Sequence, residues 1–304
     1  LPAGGNRVPF STRYRRDQTG GLDEEQIELV RAHVAKLRQL EERKQTILRS
    51  LEAQEKLTDE LKDEIGRATS MKRLEDLYLP FKPKKQSLAA KAREQGLESF
   101  AEEILTRKCA DLEARAAEFV DAEKGVADTT AALTGAGHII AEQFSELADL
   151  RQHIRKLYRK TAKLVSKGVE EEHKLKPQFK DYLDFREPLS RIPPHRVLAI
   201  NRGERAKVLR VGVDVDEQAI ERLVKEELIS DDHPHRDYLY ECIRDSLTRL
   251  VLPSLEREAR REVTEKAESH AVTVFARNLR KLLLQPPLSG KSVLAIDPGY
   301  KNGC

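Results

Sequence analysis

Apolar residues recur every three or four positions along most of the chain, and this spacing predicts amphipathic helices. The first of these helices follows a loop at Thr19, Gly20 and Gly21. Charged residues cover most of its surface, and its apolar stripe consists of Ile27, Val30, Val34, Leu37, Leu40, Ile47 and Leu51. We therefore predict one long helix with a single buried face in this part of the chain.

Capping residues mark the next two helices. Thr58 is a good N-cap for a second helix, which Pro80 ends in an extended, lysine-bearing loop. The apolar positions of that helix are Leu61, Ile65, Leu74 and Leu77. Ser87 is a good N-cap for a third helix, which closes near Gly96.

Residues 87–105 also resemble a helix-turn-helix, with Gly96 in the turn. The match weakens at Glu102, because the motif would bury that position. An ordinary helical hairpin is therefore the favoured interpretation, and a helix-turn-helix-like element is the alternative.

Glycines mark the turns of the following helical segment. Helical periodicity resumes at Asp111 and continues to Val169. Turns between helices are predicted at Gly125 and at residues 135–137, which read Gly-Ala-Gly.

The pattern changes class after Pro193 and Pro194. Residues 195–201 and 207–214 are β-rich runs on either side of residues 202–204, which read Arg-Gly-Glu. We therefore predict a β-hairpin here.

A helix from about Glu217 and a long helix over residues 238–284 complete the helical part, with a kink predicted at Pro253.

The chain closes on K-S-V-L-A-I-D-P-G-Y-K-N-G-C, which predicts a short buried strand that places Asp297 in a turn. Metal-dependent nucleases begin their sites with such a carboxylate, but two-metal chemistry needs several. Since the first residue is Leu and the last residues end inside this strand-turn unit, we expect a fragment at both ends.

The composition excludes several classes of protein. The 304 residues carry 55 basic and 52 acidic side chains, so the net charge of +3 creates no global field for nucleic acid and any binding patch must be local. The three cysteines, Cys109, Cys242 and Cys304, favour reduced thiols and an intracellular location, in the cytoplasm or the nucleus. No apolar run reaches the roughly 20 residues of a membrane span, so we expect no membrane partner.

The clearest local patch is R-Q-H-I-R-K-L-Y-R-K-T-A-K-L-V-S-K, residues 151–167. At helical spacing its basic residues share one half of a helix, and Ile154, Leu157, Tyr158, Leu164 and Val165 share the other. The basic residues are Arg151, Arg155, Lys156, Arg159, Lys160, Lys163 and Lys167. Such a face can follow a phosphate backbone, and the competing interpretation is a solvated outer face of a packed helix.

Two smaller basic clusters lie in or beside predicted loops. One is R-Y-R-R, in which Tyr14 can stack on a base while Arg13, Arg15 and Arg16 contact phosphates. The other is K-P-K-K, with its cations at Lys82, Lys84 and Lys85. Ordinary anchoring and ion pairing are the alternatives for both clusters.

The stretch D-D-H-P-H-R-D, residues 231–237, collects possible metal ligands. It lacks the histidine or cysteine spacing of a zinc site, so a charged helix start near Pro234 is the favoured interpretation. We predict no metal, no cofactor and no catalytic residue.

Several longer blocks of the chain resemble one family. V-P-F-S-T-R-Y-R-R-D-Q-T-G-G-L-D-E-E-Q, L-E-D-L-Y-L-P-F-K-P-K-K, F-V-D-A-E-K-G-V-A-D, P-P-H-R-V-L-A-I-N-R-G-E and V-F-A-R-N-L-R-K-L-L-L occur in the order and spacing of Tex proteins, which are bacterial transcription accessory proteins. The closing Y-K-N-G-C is more similar to their eukaryotic relatives, the S1 RNA-binding-domain-containing proteins.

The resemblance implies a mainly α fold. It has a Tex-like helical N-terminal domain with a helix-turn-helix-like element over residues 1–190, and a β-hairpin with a connecting helix over residues 191–236. A long central helix over residues 237–286 and the first strand of a truncated YqgF-type, ribonuclease-H-like domain over residues 287–304 complete it. In that family nucleic-acid binding rests largely on an S1 domain, which lies outside this sequence.

The resemblance also implies a non-enzymatic factor that binds RNA, with DNA as the alternative, in transcription or translation. Asp297 is then a relic of the fold. The alternative function is a protein-interaction scaffold that docks polymerase or ribosome components, with nucleic acid bound by the S1 domain alone.

Overall fold

The structure is a computed structural model that describes residues 22–82, 87–169, 174–286, 289–292 and 294–296. The chain divides into two compact units, each made of two segments. Unit 1 consists of Leu1–Thr161 and Asp216–Leu255, and unit 2 consists of Ala162–Val215 and Glu256–Cys304. The domain boundaries predicted from the sequence stay a prediction.

The described residues form twelve α-helices and three strands, which confirms the predicted mainly α fold. The first eight helices are α1 Glu24–Ala53, α2 Asp59–Arg67, α3 Met71–Tyr78, α4 Leu88–Glu94, α5 Glu98–Leu105, α6 Leu112–Ala117, α7 Thr129–Glu146 and α8 Ala148–Thr161. The remaining elements are β1 Lys163–Gly168, β2 Asp184–Pro188, α9 Pro194–Arg205, β3 Leu209–Asp214, α10 Glu217–Leu228, α11 Arg236–Asp245 and α12 Leu252–Leu283. No helix in the described part has the length and apolar content needed to cross a bilayer.

Helix α7 is the centre of unit 1. It packs against α4, α5, α6, α8 and α11, and small residues let these neighbours approach closely. A Cβ on Gly135 would lie 2.3 Å from Leu97 Cδ1, and one on Gly137 would lie 3.2 Å from the Tyr238 hydroxyl. The turn predicted at residues 135–137 is therefore wrong, because these glycines serve close helix packing. The turn predicted at Gly125 is present, with φ at +79°.

Capping side chains set the helix starts of unit 1. Thr58 Oγ1 accepts a hydrogen bond from Leu61 N at 3.3 Å, and Ser87 Oγ accepts one from Ala90 N at 3.0 Å, as predicted. The single helix predicted after Thr58 is instead two helices, α2 and α3. Ser70 accepts from Arg73 N at 3.2 Å and caps α3, after an extended Ala68 has ended α2.

Unit 2 contains an antiparallel sheet with the strand order β2-β1-β3. The predicted hairpin over residues 195–214 is wrong in its first half, since that run is helix α9. Pro194 lies at its first helical turn, where proline is favoured, and Val197 and Ile200 are buried three positions apart. The second half is a strand, β3, but its partner is β1.

The outer edge of β3 is covered by side chains of α12 that belong to the same unit. Glu256 Oε1 accepts from Val213 N at 3.2 Å, and the Arg260 guanidinium donates to Val211 O and pairs with Glu204. An open edge strand invites pairing with other chains, so these contacts protect the sheet.

One helical run joins α11 to α12 through a π-helical segment, Ser246–Val251, so the long helix is present as predicted. Pro253 lies two residues after the end of this segment. Proline has no N–H for the ladder and crowds the preceding turn, which explains an irregularity at this place.

The predicted closing strand is absent from the part of it that the structure describes. Residues 291, 292 and 294–296 carry no strand pairing, and Leu294 and Ile296 are exposed. A strand needs a neighbour to satisfy its backbone, and the described residues supply none here. Asp297 lies outside the described residues.

The close packing at Gly135 generates a stability prediction. Gly135→Ala forces its methyl group into Leu97, and this overpacking outweighs the gain in helix propensity. We expect the free energy of unfolding to fall by about 1–2 kcal/mol in urea denaturation followed by circular dichroism. Gly66→Ala in α2 is the matched control, because nothing lies within 4 Å of its added methyl group. Equal stability of the two variants would contradict this role of Gly135.

Candidate functional site

The candidate site is built around one buried carboxylate. Asp76 on α3 accepts from Arg155 Nη1 at 2.8 Å and Nη2 at 3.1 Å, and from Arg151 Nε at 2.9 Å. Both arginines lie on α8, one helical turn apart. Asp76, Arg151 and Arg155 are each less than 9% exposed. The carboxylate therefore joins α3 to α8 through two charge-assisted contacts.

Arg151 has a structural role. Its Nη1 donates to Ser145 O at 3.1 Å, and its Nη2 donates to Ser254 Oγ at 3.2 Å. With Nε on Asp76, all three nitrogens of this guanidinium hold protein partners inside unit 1. Arg151 is thus committed to packing.

The predicted basic helix over residues 151–167 is wrong in its extent and in part of its exposed face. Helix α8 ends at Thr161, so Lys163 and Lys167 lie on β1 in unit 2. Arg151 and Arg155 point to Asp76. The hydrophobic periodicity assigned them to an outer face because it contains no information on a carboxylate 75 residues earlier in the chain.

Three of the predicted cations remain on the surface of α8. Lys156, Arg159 and Lys160 are exposed, and Lys156 lies three positions before Arg159 and four before Lys160 on the helix. Side chains at this spacing are neighbours, with Cβ atoms about 5–6 Å apart. We call these three residues the outer strip.

A cleft of about 200 Å³ opens beside the outer strip, between the start of α3 and the side of α8. Five basic side chains and a single carboxylate face it, together with a hydroxyl and an amide. The lining residues are Ser70, Lys72, Arg73, Asp76, Gln152, Arg155, Lys156 and Arg159. This excess of positive charge suits an anion.

Sequence reasoning missed the α3 side of this cleft. Lys72 and Arg73 are two cations of α3, a helix that the apolar pattern merges with α2. The available signal was Ser70, which is a good N-cap and would have placed both cations at the positive end of a new helix.

The structure describes little of the other predicted basic clusters. Arg13, Tyr14, Arg15 and Arg16 lie outside the described residues, as do Lys84 and Lys85. Lys82 Nζ lies 3.7 Å from Glu75, which also accepts from Arg43 Nε at 2.6 Å.

The pKa of Glu75 reflects these two cations. Burial of this carboxyl opposes its ionisation, but the hydrogen bond and charge of Arg43, with the charge of Lys82, more than offset the burial and lower the pKa. Lys82 thus already faces an ionised carboxylate.

Lys163 and Lys167 occupy one face of the sheet in unit 2. Lys163 is paired in register with Asp214, and Lys167 is paired with Asp184 on one side and Arg210 on the other. Opposite charges on neighbouring strands stabilise a sheet. Each lysine therefore has an acidic neighbour, although Arg186 and Arg210 lie on the same face and leave it with four cations and two acids.

The helix-turn-helix-like hairpin is formed by α4 and α5, with Gly96 at φ +84° in the turn. The second helix of such a motif would approach a phosphate backbone. Here its exposed positions include Glu98 and Glu102, which repel phosphate. The favoured interpretation as an ordinary hairpin agrees with this surface.

The cluster at residues 231–237 precedes helix α11, which begins at Arg236, as the favoured interpretation predicted. Asp232 pairs with Arg107 at 2.8 Å, and the hydrogen bond from Arg107 lowers the pKa of Asp232 to about 2. His233 is buried, and loss of hydration lowers its pKa. Among the described residues no group of three or more His, Cys, Asp or Glu could hold a metal ion.

The fold and the cleft define a mainly helical protein with a basic recess on its surface. Comparison with known families shows to which family this protein belongs. The Tex central region-like model matches residues 108–275, and the Tex-like protein N-terminal domain model matches residues 1–52. The chain belongs to the Tex family, which confirms the resemblance found in the sequence.

Individual relatives agree with this assignment. The chain is 40% identical to the uncharacterized protein YdcI of Bacillus subtilis over 303 residues, 99% of the chain. It is 39% identical to the transcriptional accessory protein Tex of Neisseria gonorrhoeae over 311 residues, 98% of the chain. It is 31% identical to human S1 RNA-binding domain-containing protein 1 over 315 residues, also 98% of the chain.

The chain is shorter than these relatives. It spans 42% of the Bacillus protein, 40% of the Neisseria protein and 31% of the human protein.

The Asp76 contacts generate a second stability prediction. Asp76→Asn keeps the shape of the side chain but leaves two buried guanidiniums without their carboxylate. Removal of one partner from a buried ion pair typically costs about 3–5 kcal/mol, and we expect a loss of this size in urea denaturation.

Asp149→Asn is the matched control, because Asp149 also pairs with a cleft arginine, Arg73 at 2.7 Å, but its side chain is 75% exposed. Its loss should be below about 1 kcal/mol. If the two variants are equally stable, Asp76 does not hold α3 and α8 together.

Proposed function

We propose that the chain is part of a Tex-type factor that binds RNA, with DNA as the alternative, and that acts with the transcription or translation machinery. Two relatives support the nucleic-acid part through their names, transcriptional accessory protein Tex and S1 RNA-binding domain-containing protein 1. The proposal includes an intracellular location, in the cytoplasm or nucleus, and no catalytic step.

The observation that carries the proposal is the outer strip beside the basic cleft. Lys156, Arg159 and Lys160 present three exposed cations on one side of α8. The buried Asp76 holds the helix beneath them, so the side chains project from a fixed base. Contacts of this kind position a phosphate backbone and carry no base specificity.

The proposal assigns no phosphate contact to Arg151, Lys163 or Lys167. Arg151 is committed to protein partners, and the two lysines lie beside acids on a separate unit. The clusters at residues 13–16 and 82–85 stay predicted contributors.

A scaffold function is the second candidate, and one observation favours it. Helix α12 exposes Val272, Phe275, Leu279 and Leu282, which recur at intervals of three and four and so share one face. Such an apolar stripe suits contact with a protein of the polymerase or ribosome. Its binding would depend little on salt, unlike binding to phosphate.

A salt series tests the proposal. The protein should bind single-stranded RNA in fluorescence anisotropy, with an affinity that falls as salt rises. Changing Lys156, Arg159 and Lys160 to Gln should weaken binding at low salt by at least about tenfold and reduce the slope of log K against log salt by about 2.

The control changes Lys56, Lys62 and Arg67 to Gln, which removes the same charge from exposed positions of the same unit. These residues lie outside the cleft lining, so both affinity and slope should stay near those of the parent. An equal loss in the two triple variants would assign binding to net charge alone. No binding at low salt would refute the proposed function for this part of the protein.

A further inference from the structure

We propose that the cleft between α3 and α8 is a pocket for a phosphate monoester, such as the terminal phosphate of a nucleic-acid strand. This inference rests on the proposed function, in which the outer strip binds the backbone of a nucleic-acid strand. The cleft then binds the terminal phosphate of the same strand. It adds a specific site, with Ser70 and Arg73 at its centre, to a surface that otherwise binds any phosphate backbone.

The start of α3 supplies the first feature of a phosphate site. Met71 and Lys72 are the first residues of an eight-residue helix, so their N–H groups have no acceptor within that helix. The positive end of the helix dipole lies at the same place. Ser70 Oγ accepts from Arg73 N at 3.2 Å, and its O–H proton remains available to donate into the cleft.

Converging cations supply the second feature. Lys72 and Arg73 come from α3, and Arg155, Lys156 and Arg159 come from α8. Asp76 is the only carboxylate among the described lining residues of this cleft, and two guanidiniums already share it. The lining therefore contains more cations than carboxylates.

Arg73 is the residue best placed to respond to an anion. Its Nη1 lies 2.7 Å from Asp149 Oδ1, but this buried nitrogen makes no well-directed hydrogen bond. The side chain is 25% exposed, whereas Asp149 is 75% exposed. An entering phosphate can take over this guanidinium from a weakly held surface carboxylate, and a planar guanidinium suits bidentate binding of phosphate.

The shape of the cleft favours a monoester over an internal diester. Two of its lining residues, Asp76 and Arg155, are each less than 9% exposed, so the cleft is recessed there. An internal phosphate carries the chain away on both sides and needs an open groove, whereas a terminal phosphate enters with one strand attached. A monoester also offers three oxygens and a charge of about −1.5 to −2 near neutral pH, which matches several donors at once.

The test compares otherwise identical single-stranded RNAs that end in a 5′-phosphate, a 5′-hydroxyl or a 3′-phosphate. We expect the 5′-phosphate RNA to bind at least about tenfold more tightly than the 5′-hydroxyl RNA, as charge-assisted hydrogen bonds would give. Arg73→Gln should abolish this ratio, so that the 5′-phosphate and 5′-hydroxyl RNAs bind with equal affinity. The 3′-phosphate RNA and a nucleoside 5′-monophosphate competitor show whether the pocket takes a 5′ end, either end or a free nucleotide.

Asp149→Asn is a control whose expected effect on the preference for 5′-phosphate RNA is opposite to that of Arg73→Gln. It removes the carboxylate that competes for Arg73, so the preference for the 5′-phosphate RNA should stay or increase. A decrease in this variant would overturn the assigned role of Arg73.

The remaining outcomes separate the inference from the proposed function. Equal binding of the 5′-phosphate and 5′-hydroxyl RNAs overturns the pocket and leaves RNA binding in place. A preference that survives Arg73→Gln also overturns it, because the phosphate is then bound elsewhere. If neither RNA binds and the nucleoside monophosphate does, the pocket stands and the proposed function fails. If nothing binds, both fail.

Discussion

The site in unit 1 depends on a single shared carboxylate. Asp76 accepts from Arg151 and Arg155 in a place nearly closed to water, and a buried ion pair is stable only when its geometry is good and its other donors are satisfied. Arg151 meets that condition through Ser145 and Ser254. The start of α3 and the outer face of α8 thereby keep a fixed separation, and the cleft exists because of it.

Burial divides the cations of α8 by function. Arg151 and Arg155 face inward with Leu150, Ile154 and Tyr158, while the outer strip stays exposed on the same helix. Because two arginines hold α8 in position, its exposed cations can bind an anion with little further loss of conformational freedom. Exposed lysines on a loosely held helix would lose more conformational freedom on binding.

Local signals in the sequence predicted most of the helical unit. The caps at Thr58 and Ser87, the long helix α1, the helix at Glu217 and the long run before and after Pro253 all follow from neighbouring residues. The buried face predicted for α1 is present at Leu40, Ile47 and Leu51, but Val30 and Leu37 are exposed. Apart from the missed cap at Ser70, the mistakes involve partners far away in the chain. Gly135 resembles a turn unless Leu97 is known to pack against it, and residues 195–201 resemble a strand although their β-branched residues bury one side of a helix. Arg151 and Arg155 resemble an exposed face because Asp76 lies 75 residues away from the first of them.

The most direct test of this account is an NMR map of backbone amides during titration with a 5′-phosphorylated single-stranded RNA. The account predicts that shift changes concentrate at residues 70–73 and 152–160, around the cleft and the outer strip, with small changes on β1, β2 and β3. Changes concentrated on the sheet, on the exposed stripe of α12 or on the hairpin of α4 and α5 would contradict it, and would place the binding surface away from Asp76.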